Sequence, residues 1–394
     1  MMSNRWVVLG ALFVARSALG YHFVSVASVA PLMVEDLGIN FTEAGTLIGL
    51  FSILGVVTAL PAGFLGRRFG ERRVCLAGLF VMGVGGVVMW LGDGFLVIGL
   101  GRILAGTGGV VMTVVMVKLV GDLFEGKEVV TGMAILMNSW PVGIAIGLWT
   151  HGALAEAWGW QAVFLAAGIG SFAGMALVAW FYRPHMVSSP RAEPVLENKD
   201  TGRMSRREAT LVSLAGGVWV FYNGGFLMVL SFGPAMLVAG GDDVAHAGLL
   251  LSNATIVYMF AIPLGGWLSE WLARPNRVMI SCFALGALSV AAVPFASTPL
   301  IPFILAAIFV GIPTGNVMAL TVEVVRAEHR IMGTGLYYTW NHIGLTAIPA
   351  FAGWIVDLTG APSNAMFVGG TTMTLAIFVL IVLRMTQMRP VHAG

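Results

Sequence analysis

Long runs of apolar residues follow one another along the chain, separated by short polar segments. A helix needs about 20 apolar residues to cross the roughly 30 Å hydrocarbon core of a bilayer, and twelve runs reach that length. We therefore predict twelve transmembrane helices in an all-α membrane protein. They span about residues 6–33, 42–65, 74–91, 95–120, 129–154, 161–182, 209–238, 245–272, 278–296, 299–322, 331–356 and 365–384.

The composition leads to the same conclusion. Of 394 residues, 58% are hydrophobic and 10% are charged, whereas a soluble domain carries about 25% charged residues. A soluble fold could not hide so much apolar surface, so the lipid bilayer must be part of its surroundings. The net charge of +2 gives no electrostatic reason to expect nucleic acid as a partner.

The charged residues orient these helices. If the N-terminus is cytoplasmic, 18 of the 21 basic residues fall in cytoplasmic loops and tails, and the opposite loops contain no Lys or Arg. Those opposite loops contain Glu35, Asp36, Asp93, Glu156, Asp242, Asp243 and Asp357. By the positive-inside rule, this predicts an inner-membrane protein with both termini in the cytoplasm. The first apolar run lacks a signal-peptide cleavage site, so we expect it to be retained as a helix.

Residues 184–208 form the longest polar interval and read as a cytoplasmic linker. We predict a six-helix bundle at 1–183 and a second at 209–394. Similar residues recur in the two halves at an offset of 203 positions, among them Asn138 with Asn341 and Lys127 with Arg330. A shared offset without gaps indicates a duplication, and parallel six-helix repeats are typical of transporters.

The segment 63–73 resembles a loop motif of the major facilitator superfamily. The matching positions are Gly63, Arg68, Gly70, Arg72 and Arg73. Arg67 stands where the family has an Asp that helps to latch one conformation, whereas the second half keeps Gly266 and the acid Glu270. The segments 102–106 and 159–164 are also similar to family motifs. The resemblance covers the whole chain and implies a secondary transporter whose two halves rock about a central site.

Two arginines lie deep in the predicted helices, where a charged side chain costs about 2.5–3.5 kcal/mol on insertion scales. Arg16 lies about 10 residues into the first helix, and Arg102 lies in the fourth. No carboxylate is comparably deep in the first six helices, so we expect the two guanidinium groups to attract an anion. For both arginines the alternative is a structural role, bonding backbone carbonyls of a neighbouring helix.

Further polar residues lie on helices that face the cavity in the family. The remaining candidates for substrate contact are Tyr21, Asn138, Tyr222, Asn223, Tyr337, Tyr338, Asn341 and His342. Ordinary hydrogen bonding between helices is the alternative for each of them. His22 and His342 are candidate proton carriers because histidine can titrate in the physiological range. Glu323 is spaced i, i+3 from Arg326, which predicts a surface ion pair rather than a coupling carboxylate.

These patterns predict a monomeric secondary transporter for a small, anionic organic solute, with a proton or a counter-ion as the candidate coupling ion. A proton-driven exporter of drugs or metabolites with the same fold is the alternative, although we find no deep carboxylate of the kind that binds cationic drugs. A membrane enzyme or a sensor would need clustered catalytic residues or an added soluble domain. We find no phosphate-binding loop and no metal-ligand spacing, and we expect no cofactor.

Overall fold

The computed structural model describes residues 5–124, 128–182, 204–326 and 329–388. Fourteen α-helices fill these ranges and no strand is found in them. The first half contains α1 (Arg5–Leu37), α2 (Phe41–Leu50), α3 (Gly55–Phe69), α4 (Glu71–Trp90), α5 (Phe95–Leu123), α6 (Glu128–Trp158) and α7 (Gln161–Phe181). The second half contains α8 (Arg206–Ala239), α9 (Val244–Leu272), α10 (Pro275–Ala292), α11 (Leu300–Gly311), α12 (Thr314–Val324), α13 (Arg330–Thr359) and α14 (Asn364–Met388).

Two of the twelve predicted spans are broken helices. Eleven stretches are each long and apolar enough to cross a membrane, and the remaining span is α2 and α3 together, interrupted at residues 51–54. The tenth span is interrupted between α11 and α12 at Pro313, where the missing N–H and fixed φ of proline end a helix. The span predicted at 42–65 is present, but it is broken at residues 51–54, where no proline in the sequence indicates an interruption.

The second half begins slightly earlier than predicted. Ser205 caps the N-terminus of α8 by accepting from the backbone N–H of Glu208, whose side chain bonds back to Ser205 N. This reciprocal capping box satisfies two otherwise unpaired donors. Residues 206–208, predicted as the end of the linker, therefore belong to a helix. The rest of that linker, up to residue 203, lies outside the described residues, as does Lys127.

Equivalent helices of the two halves begin at nearly the same offset. Phe41 at the start of α2 and Val244 at the start of α9 differ by 203 positions, as do Gln161 of α7 and Asn364 of α14. The capping residues Asn40 and Asp243 also differ by 203. This is the relation that a duplicated six-helix unit produces.

Successive spans alternate in direction, so their ends and the connecting loops gather at two ends of the bundle. We call one the acidic end, which carries Asp36, Asp93, Glu156, Asp242 and Asp357. The other is the basic end, which carries Arg5, Arg72, Arg274, Arg330 and Arg384.

At the acidic end, α2 of the first half packs directly against α13 of the second. Asp357 Oδ1 accepts from Phe41 N at 2.8 Å, and Asp357 Oδ2 accepts from Thr42 N at 2.8 Å and from Thr42 Oγ1 at 2.5 Å. The carboxylate thus caps the N-terminus of α2, where unpaired N–H groups and the helix dipole favour negative charge. Below it, a Cβ added to Gly45 would lie 2.2 Å from Pro349 O, so the two backbones touch.

The pseudo-equivalent pair, α6 and α9, is built in the same way. Glu156 Oε1 of α6 accepts from Ala245 N at 3.2 Å, in the first turn of α9. Ser252 Oγ donates to Ala145 O at 2.9 Å, and a Cβ on Gly248 would lie 2.2 Å from Leu148 O. Two carboxylates therefore cap helices of the opposite half, and close glycine packing seals the acidic end between them.

The family-like loop motif lies at the basic end. Gly70 has a φ of +88°, which lets α4 start directly after α3. Arg72 Nη2 donates to Ala179 O at 2.5 Å and so satisfies a carbonyl in the last turn of α7, while Arg68 and Arg73 are exposed. Gly63 lies in α3, and Gly266 and the exposed Glu270 lie in α9.

One ion pair at the basic end differs from the prediction. Glu323 pairs with Arg384 of α14 instead of Arg326. Arg326 Nε lies 3.7 Å from Glu208 of α8. The helix α12 ends at Val324, so the spacing of three residues does not continue on one helical face.

Candidate functional site

A central cavity of about 350 Å³ lies between the two halves. The first half contributes residues from α1, α5, α6 and the break between α2 and α3, and the second half contributes residues from α8, α9, α12 and α13. Six predicted substrate-binding residues line it: Arg16, Tyr222, Asn223, Tyr338, Asn341 and His342. Tyr338, one of these six residues, keeps 46% of its surface accessible.

Arg16 is the cationic residue of this cavity. Its side chain is 7% exposed. The helix α1 begins at Arg5, and Arg16 lies eleven residues further along it. Its Nη1 donates to Leu136 O at 2.9 Å, Met137 O at 3.2 Å and Ser139 Oγ at 3.1 Å, while its Nε is buried without a hydrogen-bond partner. Among the described residues, Arg16 forms no ion pair with a carboxylate. One edge of the guanidinium therefore holds α6, whereas Nε on the other edge has no hydrogen-bond partner within the described ranges.

Pro141 explains why α6 offers carbonyls to Arg16. Pro141 lies inside α6 and has no N–H to donate to Met137 O, its partner four residues earlier. A free carbonyl in the membrane must find another donor, and Arg16 Nη1 supplies it at 3.2 Å. Arg16 thus has the structural role that the sequence analysis gave as its alternative, because it bonds backbone carbonyls of α6. It also lines the cavity.

The second half supplies a polar and aromatic wall. Tyr222 OH donates to Val310 O at 2.6 Å and lies 2.7 Å from Thr314 Oγ1, so this hydroxyl is already occupied. Asn223 Nδ2 lies 3.5 Å from Asn341 Oδ1, a long contact that leaves most of the hydrogen-bonding capacity of both amides free.

His342 lies where the two halves meet beside the α2–α3 break. Its ring packs so closely on Gly55, the first residue of α3, that a Cβ there would lie 2.2 Å from His342 Cε1. Its Nδ1 is buried without a hydrogen-bond partner. His342 therefore contacts both the cavity and the first residue of α3.

Arg102 does not line the cavity, contrary to the predicted substrate contact. The side chain is fully buried, and its donors bond Leu47 O at 2.9 Å, His22 O at 2.7 Å, Phe23 O at 3.2 Å and Ile48 O at 3.2 Å. Leu47 and Ile48 belong to the last turn of α2, whose carbonyls lack partners within the helix. Arg102 therefore ties α2 to α1, which is the structural role left open as its alternative.

Four other predicted residues also lie outside the cavity. Tyr21 OH accepts from Thr150 Oγ1 at 3.2 Å, and Asn138 is exposed on α6. Tyr337 OH donates to Val317 O at 2.7 Å, and its ring stacks on that of Trp219 with 4.7 Å between the ring centroids. His22 is fully buried, with Nε2 3.1 Å from Ser171 Oγ. The remaining proton-carrier candidate that touches the cavity is His342.

The sequence reasoning missed the apolar lining. Seven of the nineteen lining residues are aromatic: Phe23, Phe51, Trp140, Trp219, Tyr222, Tyr258 and Tyr338. Phe23, Phe51 and Trp140 look in sequence like any other apolar residue of a spanning helix. Tyr222 and Tyr338 were predicted, and a signal was also available for Trp219, which lies three residues before Tyr222.

A larger recess of about 1040 Å³ opens at the acidic end of the second half. Its lining comes from the end of α8, the start of α9 and the connections before α11 and α14, all in one half. Motion between the halves would not expose it alternately to the two sides of a membrane. The smaller central cavity is therefore the candidate transport site.

Two halves of six spans each enclose a cavity and pack closely against each other at the acidic end, an arrangement that is typical of membrane transport proteins. The family model for the Major Facilitator Superfamily matches residues 11–312 and 214–393. The chain belongs to this superfamily.

Individual relatives are distant. A hexuronate transporter of Bacillus subtilis (strain 168) is 22% identical over 89% of this chain and 88% of that protein. A probable L-galactonate transporter of Escherichia coli (strain K12) is 25% identical over 87% of this chain and 81% of that protein. A bacillibactin exporter of Bacillus subtilis (strain 168) is 27% identical, but the match spans 34% of this chain and 35% of that protein.

The fold also matches solved structures. A bacterial homolog of the human lysosomal transporter Spinster, in an inward-facing and unoccupied conformation, has a TM-score of 0.75 and 17% identity. The match covers 97% of this chain and 96% of that chain. The predicted superfamily and its twelve-span fold are confirmed, and the chain is a multi-pass membrane transporter rather than an enzyme.

Proposed function

We propose that this transporter carries a small organic anion and that Arg16 binds its negative group. The observation that carries the proposal is the charge of the cavity: Arg16 lines it, and none of the described lining residues is Asp or Glu. In the low-dielectric middle of a membrane, an unpaired guanidinium strongly favours an anionic partner. The positive charge of Arg16 would repel a cationic drug, and this disfavours the alternative of a drug exporter.

The full-length relatives support this substrate class. Hexuronate and L-galactonate, named for two of them, are sugar carboxylates. Both relatives are aligned over more than four-fifths of this chain. We further propose that the chain works by alternating access, with the acidic end closed in the described conformation and His342 sensing the bound state. On the positive-inside argument, the closed acidic end faces away from the cytoplasm.

The experiment is binding and transport by purified protein in proteoliposomes with Arg16→Met and Arg16→Lys variants. A panel of carboxylates should raise the thermal stability of the wild type, because a ligand specific for the folded state stabilises it. Arg16→Met should lose this stabilisation and the uptake. Arg16→Lys, which keeps the charge without the fork, should retain part of both.

The matched control is Arg277→Met, which removes the same charge from an exposed position at the basic end. Size-exclusion profiles and circular dichroism establish whether each variant is folded, because Arg16 also holds α6. Undiminished uptake by folded Arg16→Met protein would refute the anion site.

A further inference from the structure

The free hydrogen-bonding capacity of Arg16 is enough for one carboxylate. Nη1 is already shared among two carbonyls and the Ser139 hydroxyl, whereas Nε is buried without a partner. The Nε side of a guanidinium binds the two oxygens of a single carboxylate in a fork. No other Lys or Arg is among the described residues that line the cavity. A second carboxylate on the same ligand would be buried without a counter-charge.

Aromatic rings from both halves line the same cavity as Arg16. In the first half, Phe23 packs at 5.9 Å from Phe51 and at 5.4 Å from Trp140, measured between ring centroids. In the second half, Trp219 and Tyr338 meet edge to face at 5.0 Å. Flat apolar groups bind well between such rings because aromatic pairs gain energy beyond the area they bury.

The cavity has few free groups for a polyhydroxylated ligand. The Tyr222 hydroxyl is committed to Val310 O and Thr314, and Thr314 Oγ1 also donates to Val310 O at 3.1 Å. The Asn223 and Asn341 amides keep spare capacity, and so do Thr113 Oγ1 and His342 Nδ1, which are buried without a partner. A sugar acid with four or five hydroxyls would lose water bonds that this lining does not replace.

We infer that the ligand is a monocarboxylate with a flat, apolar body, such as an aromatic acid, rather than a dicarboxylic or polyhydroxylated sugar acid. The carboxylate occupies the free edge of Arg16, the ring lies between the aromatic residues of the two halves, and one polar substituent reaches the Asn223–Asn341 pair. This inference rests on the proposed anion site. Identities of 22% and 25% to the sugar-acid relatives leave the cavity lining free to differ from theirs.

Calorimetric titration of the purified full-length protein in detergent tests the inference. The probes are benzoate, 4-hydroxybenzoate and phenylacetate, compared with D-glucarate, D-glucuronate and the neutral benzamide. We expect the aromatic acids to bind at least about tenfold more tightly than the sugar acids and benzamide, as a mismatched group commonly costs that much. The ranking is measured on the wild type, so it does not depend on a variant that could misfold.

A variant then tests the aromatic contact separately. Trp140→Leu should weaken benzoate binding about tenfold and leave acetate binding unchanged, because acetate has no ring to pack. The control is Trp149→Leu on the same helix, at a side chain that is 62% exposed and outside the cavity. Equal losses in both variants, or equal losses for both ligands, would contradict the aromatic contact.

The outcomes separate the inference from the proposed function. The inference is overturned if D-glucarate or D-glucuronate binds more tightly than every aromatic acid. If that binding also requires Arg16, the proposed anion site stands. If neither class of carboxylate binds, or if benzoate binds folded Arg16→Met as tightly as wild type, the proposed function itself fails.

Discussion

The carboxylate of Asp357 is the clearest place to perturb the conformational equilibrium. It accepts three hydrogen bonds from the first turn of α2 and so links the second half to the first. Both partners separate when the acidic end opens, because α2 and α13 belong to different halves. Asp357→Asn keeps the size of the side chain but removes its charge and one acceptor oxygen.

The magnitude follows from the contacts. A helix-capping side chain contributes about 0.5–2 kcal/mol, and a charge at a helix N-terminus adds about 0.3–1 kcal/mol at an exposed site. The amide retains one acceptor, so we expect a loss of about 1–2 kcal/mol, which changes a population ratio about 5- to 30-fold. The conformation with an open acidic end should gain by this factor.

Spin-label distances across the acidic end measure the change. Cys75 and Cys282 are buried, so labels can be directed to introduced cysteines at the exposed positions Glu35 and Ser297, one in each half. The long-distance population should increase in Asp357→Asn protein and remain at the wild-type level in Asp93→Asn, which alters an exposed acid outside the α2–α13 interface. An unchanged distribution, or an equal shift in the control, would refute the proposed cap.

Three further substitutions probe the acidic end, the break in the second span and the proton-carrier role predicted for His342. Gly45→Val should force α2 and α13 apart and raise the same long-distance population, whereas Gly10→Val, which meets no atom within 4 Å, should not. Arg102→Met should lower the thermal unfolding temperature by several degrees or more, because it leaves buried carbonyls of α2 unpaired; a melting curve like that of the wild type would contradict the clamp. His342→Gln should abolish the response of uptake to an imposed pH gradient while retaining ligand binding, and an unaltered response would remove His342 as a proton carrier.

The position of Arg16 at the cavity was predictable because burying a charge in a membrane is costly wherever the helix packs. A guanidinium halfway along a spanning helix needs a partner wherever the helix packs, and the sequence contains few carboxylates at that depth. Arg102 gave the same signal and had a different outcome. Arg102 is also buried within a spanning helix, but the carbonyls that accept its hydrogen bonds come from α1 and from the last turn of α2. No spacing along the chain indicates that these carbonyls lie near residue 102.

The sequence alone determined the membrane class, the span count and the twofold repeat, because hydrophobic length and the placement of charges act within single segments. Tertiary structure decided the break at residues 51–54, where Arg102 replaces the intrahelical partners of α2, and the meeting of aromatic side chains from both halves around Arg16. These features depend on which helices become neighbours. Contacts such as Asp357 with Thr42, separated by 315 residues, are set by that packing and not by the composition of either segment.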